Sequence, residues 1–263
     1  VSTHTHTHTH THDFEKPWLM PTLEECEFYT TMNYPDGETV KSVDYGWTIP
    51  SFRNYIGKYD IKGKTILDVG TASGFIAFEA EKAGAAEVTA LDMASTSEYR
   101  GRLVAQNIEH IYTDQFVHDH SEHLIRLKNS WWYSWHKNKS KARCIYMPHS
   151  ELHNWSERFD IVIAGAIVEH LSDPVFSIGA WAKAAKEAVI IPFTGVAFDD
   201  RAFMRPVCDW TDSNACSSWW ELSSGLYHRI FDNLGFDVTY KRSYAIHARS
   251  KKNRRPTIIA RRR

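Results

Sequence analysis

Residues 64 to 74 read Lys64-Thr-Ile-Leu-Asp-Val-Gly-Thr-Ala-Ser-Gly74, and their reading decides the fold. Ile66, Leu67 and Val69 form a short apolar run with Asp68 inside it, and the run breaks into a turn holding Gly70 and Gly74. A helical pattern from Phe75 to Ala83 follows at once. A buried parallel strand, a glycine turn and a helix N-terminus in succession aim backbone N–H groups outward, where a ligand can approach without meeting a Cβ. Further on, Glu87-Val-Thr-Ala-Leu-Asp92 is a second strand that ends in a carboxylate. An acid at that point is placed to accept both hydroxyls of a ribose. The two units together read as a nucleoside-binding half-sheet.

The spacing narrows the nucleoside. A dinucleotide turn wants G-x-G-x-x-G, whose second glycine lets the backbone approach a pyrophosphate. Here the glycines are Gly70 and Gly74 with Ala72 between them, and Asp68 sits where it would repel a pyrophosphate but could help hold an ammonium group. The stretch from Ile66 to Phe75, with Asp92, resembles the class I S-adenosylmethionine-dependent methyltransferases. Ala72 stands where that family's usual D-x-G-x-G-x-G has its middle glycine. A second match is Phe159-Asp-Ile-Val-Ile-Ala-Gly165 running into Ala166-Ile-Val-Glu-His-Leu-Ser-Asp-Pro174, similar to the family segment where a central strand meets the transferable methyl group.

The resemblance covers roughly Lys64 to Ala260. It implies an α/β fold: a Rossmann-like, doubly wound, seven-stranded and mostly parallel sheet with a C-terminal antiparallel hairpin. It implies S-adenosyl-L-methionine as cofactor, bound by Asp68, Gly70, Thr71, Ala72, Ser73, Gly74, Asp92, Met93, His149, Ser150 and Gly165. Many family members carry an acid for the adenine just past the third strand. This chain has Pro148, His149 and Ser150 there, so a direct acidic contact to the base is not implied. A looser similarity, to the wobble-uridine tRNA methyltransferase-like group and its small-molecule relatives, rests on Gly63 to Phe75, on Glu169-His-Leu with Asp173-Pro174, and on a late Trp219-Trp220 segment ending in Gly235-Phe236.

Bulk properties agree with one large domain and additions: 263 residues, 43% of them hydrophobic, and ten tryptophans. No apolar run approaches the ~20 residues of a membrane span, and the N-terminus lacks a secretory pattern, so a cytoplasmic location is expected. Cys26, Cys144, Cys208 and Cys216 are scattered without a C-x-x-C, which suggests neither a zinc site nor a disulfide framework, and no metal is expected. Residues 1–12, with alternating threonine and histidine, read as a disordered tail or tag. Residues 13–60 read as a cap that helps cover the ligand, and 61–263 as the catalytic domain. The segment 193–217 is taken as a substrate loop, because structureless loops of such length are usually lids or binding loops.

A net charge of −1 hides an asymmetry: Lys241 to Arg263 holds ten basic residues and no acid. These form two groups, Arg249 to Arg255 and Arg261 to Arg263, and offer a possible contact to tRNA or another polyanion. Trp131 and Trp135 fall on one helical face, as core packing or as a wall of the substrate pocket. Methyl transfer from a sulfonium is an in-line displacement in which alignment does most of the work. A base matters when the acceptor is a hydroxyl. His170 is the leading candidate because it lies just beyond the fourth strand and histidine is the side chain suited to proton transfer near neutrality. Glu169 is second; Asp199 and His149 are weaker choices. The expected acceptor is a small molecule methylated on oxygen or nitrogen. The alternatives are a tRNA-modifying enzyme and a non-catalytic nucleotide- or RNA-binding module.

Overall fold

The computed structural model describes residues 13–95, 114–207, 218, 220–249 and 252–263. The Thr-His tail, the first part of the helical pattern after Asp92, and Cys208, Asp209, Asp212, Cys216 and Trp219 lie outside them. The N-terminal segment holds the short strands β1 (Met32–Asn33), β2 (Thr39–Val40) and β3 (Trp47–Thr48), then helix α1 (Phe52–Tyr55). Next come β4 (Thr65–Val69), α2 (Phe75–Lys82), β5 (Glu87–Asp92), the long α3 (Asp114–Asn138) and β6 (Arg143–Tyr146). They are followed by β7 (Phe159–Ile163), α4 (Pro174–Ala184), β8 (Ala185–Ile191), β9 (Val196–Ala197) and β10 (Met204–Pro206). The chain closes with β11 (Trp220–Ser223), α5 (Ser224–Asn233), β12 (Phe236–His247) and β13 (Lys252–Arg262).

The main sheet has the order β3-β12-β13-β8-β7-β4-β5-β6. Strands β4 to β8 are mutually parallel, and β13 runs antiparallel to β8 and to β12. This is the expected mostly parallel sheet with its terminal hairpin, and the two-residue β3 adds an eighth strand at one edge. Because β4 leads outward to β5 and β6 while β7 returns to its other side, the winding reverses between β4 and β7. Ligands of open α/β sheets bind at such a point, beyond the carboxyl ends of the strands.

Alternating side chains of the central strands feed two cores, as in parallel sheets covered on both faces. Ile66, Ile161, Ile163, Ile190 and Ile259 pack with Phe78, Trp131, Trp132 and the cap residues Phe28, Met32 and Tyr34. Leu67, Val69, Val162, Val189 and Ile258 pack on the other side with Trp181, Tyr227 and Phe231 of α4 and α5. Each fully buried aliphatic of β4 contributes roughly 1.5–3 kcal/mol. The tryptophan cluster belongs to this core: Trp131 lies 5.2 Å from Phe78, and Trp18 of the cap stacks on Trp132 at 5.7 Å.

Two element assignments differ from the sequence reading. A helix expected over Ile178 to Glu187 starts earlier and ends at Ala184, with Asp173 as N-cap and Pro174 at its first turn. Lys186 and Glu187 already belong to β8, where central sheet pairing outweighs helical propensity. The expected late helix beginning at Trp219 starts only at Ser224, because the Ser223 hydroxyl accepts from the Leu226 N–H at 3.1 Å and caps it there. Trp220 to Ser223 is instead a strand between β9 and β10, so the segment after β8 carries a small sheet rather than one structureless loop.

Candidate active site

The turn after β4 owes its shape to three left-handed residues: Gly70 (φ +75°), Ala72 (φ +48°) and Gly74 (φ +89°). Gly74 is the N-cap of α2 and has no side chain to accept from the helix's first N–H groups, an end that suits an anion. The turn is also tight. A Cβ on Gly74 would lie 2.2 Å from the Phe78 ring and 2.9 Å from Trp131, and one on Gly70 would lie 2.7 Å from Ile167. Gly70 and Thr71 donate to the Leu91 carbonyl at 2.8 and 3.2 Å, which ties the turn to the end of β5. Asp92 completes the tie by accepting from the Ala72 N–H at 2.6 Å and the Met93 N–H at 2.7 Å.

Asp68 is fully buried, and neither carboxyl oxygen makes a hydrogen bond. Burial drives its pKa from 3.8 up to about 7, and the charge of Asp92 adds to the rise. The Thr71 hydroxyl and Ala77 N–H oppose it without reaching hydrogen-bonding position. A buried acid without a partner is costly unless something else supplies the missing contact. Thr71 accepts from the Trp131 indole at 3.2 Å, and Ser73 accepts from the Thr30 N–H of the cap at 3.3 Å. The cap therefore touches the turn directly.

Across the switch point, Gly165 follows β7, and a Cβ there would meet Ile76 at 2.7 Å and the Tyr55 hydroxyl at 3.2 Å. Ala166 (φ +48°) and Phe193 (φ +54°) join Ala72 as non-glycine residues in the left-handed region, one after each of β7, β8 and β4. Such conformations cost roughly 1–2 kcal/mol per residue and gather where ligands are held. His149 opens the turn after β6, with Nε2 3.5 Å from Asp173 and no hydrogen bond to it. Ser150 shares that turn.

The two candidate bases lie in one short 3-10 turn, Val168–His170. His170 is half-buried. Glu169 is buried and committed: it pairs with Arg255 Nη1 of β13 at 2.7 Å and accepts from the Thr194 hydroxyl at 3.0 Å. Asp199 is likewise engaged by Arg201, whose guanidinium holds its carboxyl down at about 2. The residues brought together at the strand ends are thus Asp68, the 70–74 turn, Asp92 and Gly165. Tyr55, Thr30 and Arg255 were not legible as neighbours of this site, because no spacing links them to it.

No family model matches the chain. It is 42% identical over 55 residues to a protein arginine N-methyltransferase of Arabidopsis thaliana, a match spanning 20% of this chain and 14% of that one. It is 27% identical over 149 residues to a ubiquinone biosynthesis O-methyltransferase of Neisseria meningitidis, spanning 57% of this chain and 51% of the relative. The chain thus spans about half the length, or less, of these curated relatives. Among solved structures, magnesium protoporphyrin IX methyltransferase of Synechocystis aligns with a TM-score of 0.49 at 11% identity, over 81% of this chain and 80% of that one. By its strand order and its reversed last strand, the chain has a Rossmann-like, doubly wound and mostly parallel sheet with a C-terminal antiparallel hairpin.

Proposed function

We propose that this chain is an S-adenosylmethionine-dependent methyltransferase acting on a small molecule, with transfer to oxygen or nitrogen. The observation that carries the reading is the pairing of an orphaned buried carboxyl, Asp68, with an uncapped helix N-terminus four residues of turn away. One favours a cation and the other an anion, the two charges of an α-amino acid, and S-adenosylmethionine carries that group. Asp92 would take the ribose, and Met93, His149 and Ser150 would border the base. When bound, the cofactor supplies an electrophilic methyl on sulfonium.

The chain's own residues orient and enclose. The 70–74 turn and the backbone at Gly165 are held in place by the side chains of Ile167, Phe78, Trp131, Ile76 and Tyr55, which pack where a Cβ would stand. The cap, residues 13–60, would exclude water through Thr30 and the residues around it. His170 is proposed as the base for an acidic hydroxyl acceptor, and Glu169, through Arg255, as the residue that positions the His170 turn. A tRNA acceptor remains an alternative through the basic hairpin. Against it, Arg262 donates to the Ala182 and Ala185 carbonyls, Arg263 pairs with Asp232, and Arg255 pairs with Glu169.

Calorimetric titration with S-adenosylmethionine and S-adenosylhomocysteine, with NADH as control, tests the reading. Micromolar binding of the first two and none of NADH supports it; no binding by folded protein refutes it. Asp92→Ala should weaken both at least tenfold, and unchanged affinity would remove the ribose assignment.

A further inference from the structure

We propose that the uncovered face of the β12–β13 hairpin is a docking surface for single-stranded nucleic acid. This goes beyond the methyltransferase reading and does not rest on it. β13 pairs with β8 only from Ile258 to Arg261, so the hairpin runs on past the central strands from Arg242 to its tip. Residues directly opposite one another on paired strands share a face, as do residues two apart along a strand. Arg242 stands opposite Pro256, Tyr244 opposite Arg254 and Ile246 opposite Lys252, so these side chains lie together on one face. Ser243, Ala245 and Arg255 fall on the other face, where the first two are buried and Arg255 meets Glu169. Burial follows the same alternation: Arg242, Ile246, Lys252 and Arg254 are all exposed.

The exposed face interleaves cations with rings. Lys252 Nζ sits 3.9 Å from the centre of the half-buried Tyr244 ring. Tyr240 lies on the same face of β12, four residues and about 13 Å from Tyr244 at ~3.3 Å per residue, with Arg242 between them. The exposed Phe198 ring, just after β9, extends the strip by meeting Tyr240 at 5.5 Å. Arg242, Arg254 and Lys252 form no ion pair among the described residues. The carboxylates at the two ends of the strip are Asp44, 3.7 Å from Arg249 beyond β12, and Asp199 with Asp200 after Phe198. Asp199 is held by Arg201. Three uncompensated cations therefore alternate with rings on an open sheet face. Cations that follow the phosphates and rings on which bases stack are the two parts of a sequence-tolerant single-strand site. A duplex hides its bases, and an acidic protein would use the charge but not the rings.

The test titrates the full chain, without cofactor and at pH 8 where histidines are neutral, into a fluorescein-labelled oligouridine followed by anisotropy. An RNA duplex and inorganic polyphosphate serve as competitors at equal phosphate concentration, and each should compete at least about fivefold more weakly than unlabelled oligouridine. Three phosphate contacts to a single strand predict a loss of about twentyfold between 50 and 200 mM salt. Tyr244→Leu should weaken binding at least about fivefold through lost stacking. Arg242→Gln with Arg254→Gln should weaken it at least about tenfold. Lys241→Gln with Arg261→Gln removes the same charge from the opposite face of the hairpin and should change affinity less than about threefold. Thermal midpoints of all variants confirm folding. Equal competition by polyphosphate, preference for the duplex, or equal losses in the two double variants would overturn the proposal. None of these outcomes bears on S-adenosylmethionine binding, so the methyltransferase reading stands or falls separately.

Discussion

Asp68 keeps its proton more tightly in the folded chain than in the unfolded one, because burial has raised its pKa from 3.8 to about 7. The sign follows from linkage: the stability it contributes is present below about pH 4 and is lost as pH rises toward 7, with no further change above. The full swing is of the order of 4 kcal/mol. Asp68→Asn should remove this dependence, so that the ligand-free variant outlasts the unmodified protein in urea at pH 8 and matches it near pH 4. The same change should weaken S-adenosylhomocysteine binding at least tenfold. A variant less stable at pH 8 would show that the carboxyl is not a burden in the free protein. Two neighbours offer a second comparison. Gly74→Ala places a Cβ 2.2 Å from Phe78 at φ +89° and should cost several kcal/mol or unfold the chain. Ala72→Gly relieves a left-handed alanine, and the lower entropy of the unfolded alanine chain offsets part of that gain. Its thermal midpoint should stay level or rise by a few degrees, and a drop would mean that the Ala72 methyl packs productively.

At the scale of elements, the link between the Val168–His170 turn and β13 is one buried ion pair. Arg255→Ala strands Glu169, whose side chain is only 6% exposed, and breaking such a pair costs about 3–5 kcal/mol. Glu169→Gln leaves a half-exposed guanidinium that water can reach, so it should cost clearly less. Denaturant midpoints of the two variants give the order, and the reverse order would mean that Arg255 is the more deeply held partner. The hairpin as an element explains where the basic charge goes. Its two basic groups are separated along β13, with Arg255 and Arg261 six residues apart, about 20 Å at ~3.3 Å per residue. Pro256 is tolerated inside β13 because the strand pairs with β8 only from Ile258 onward.

For the whole molecule, charge and closure are the properties that matter. Several of the basic residues from Lys241 onward are engaged within the fold: Arg261 lies over Tyr59, Arg262 over Phe236 and Lys252 over Tyr244. Any tRNA affinity should therefore show a shallow salt dependence, with a slope well under that of a protein contacting six or more phosphates. Filter binding between 50 and 200 mM salt measures it, and a thousandfold loss would restore the polyanion reading. No helix among the described residues is long and apolar enough to cross a membrane.

Local chemistry was legible in the chain itself. The strand–turn–helix at Thr65 to Lys82, the carboxylate closing β5 and the alternation of the later strands all follow from short-range pattern, because burial on both faces and left-handed turns leave their mark in adjacent residues. The boundaries of α4 and α5 did not, since a cap hydroxyl and sheet pairing overrode helical periodicity there. Nor could any spacing announce that Thr30 would meet Ser73, that Arg255 would reach back to Glu169, or that Trp47, Phe193 and Tyr55 would pack together in the core. Those contacts join residues far apart in the chain, and only the order of strands in the sheet decides which distant side chains share one crevice.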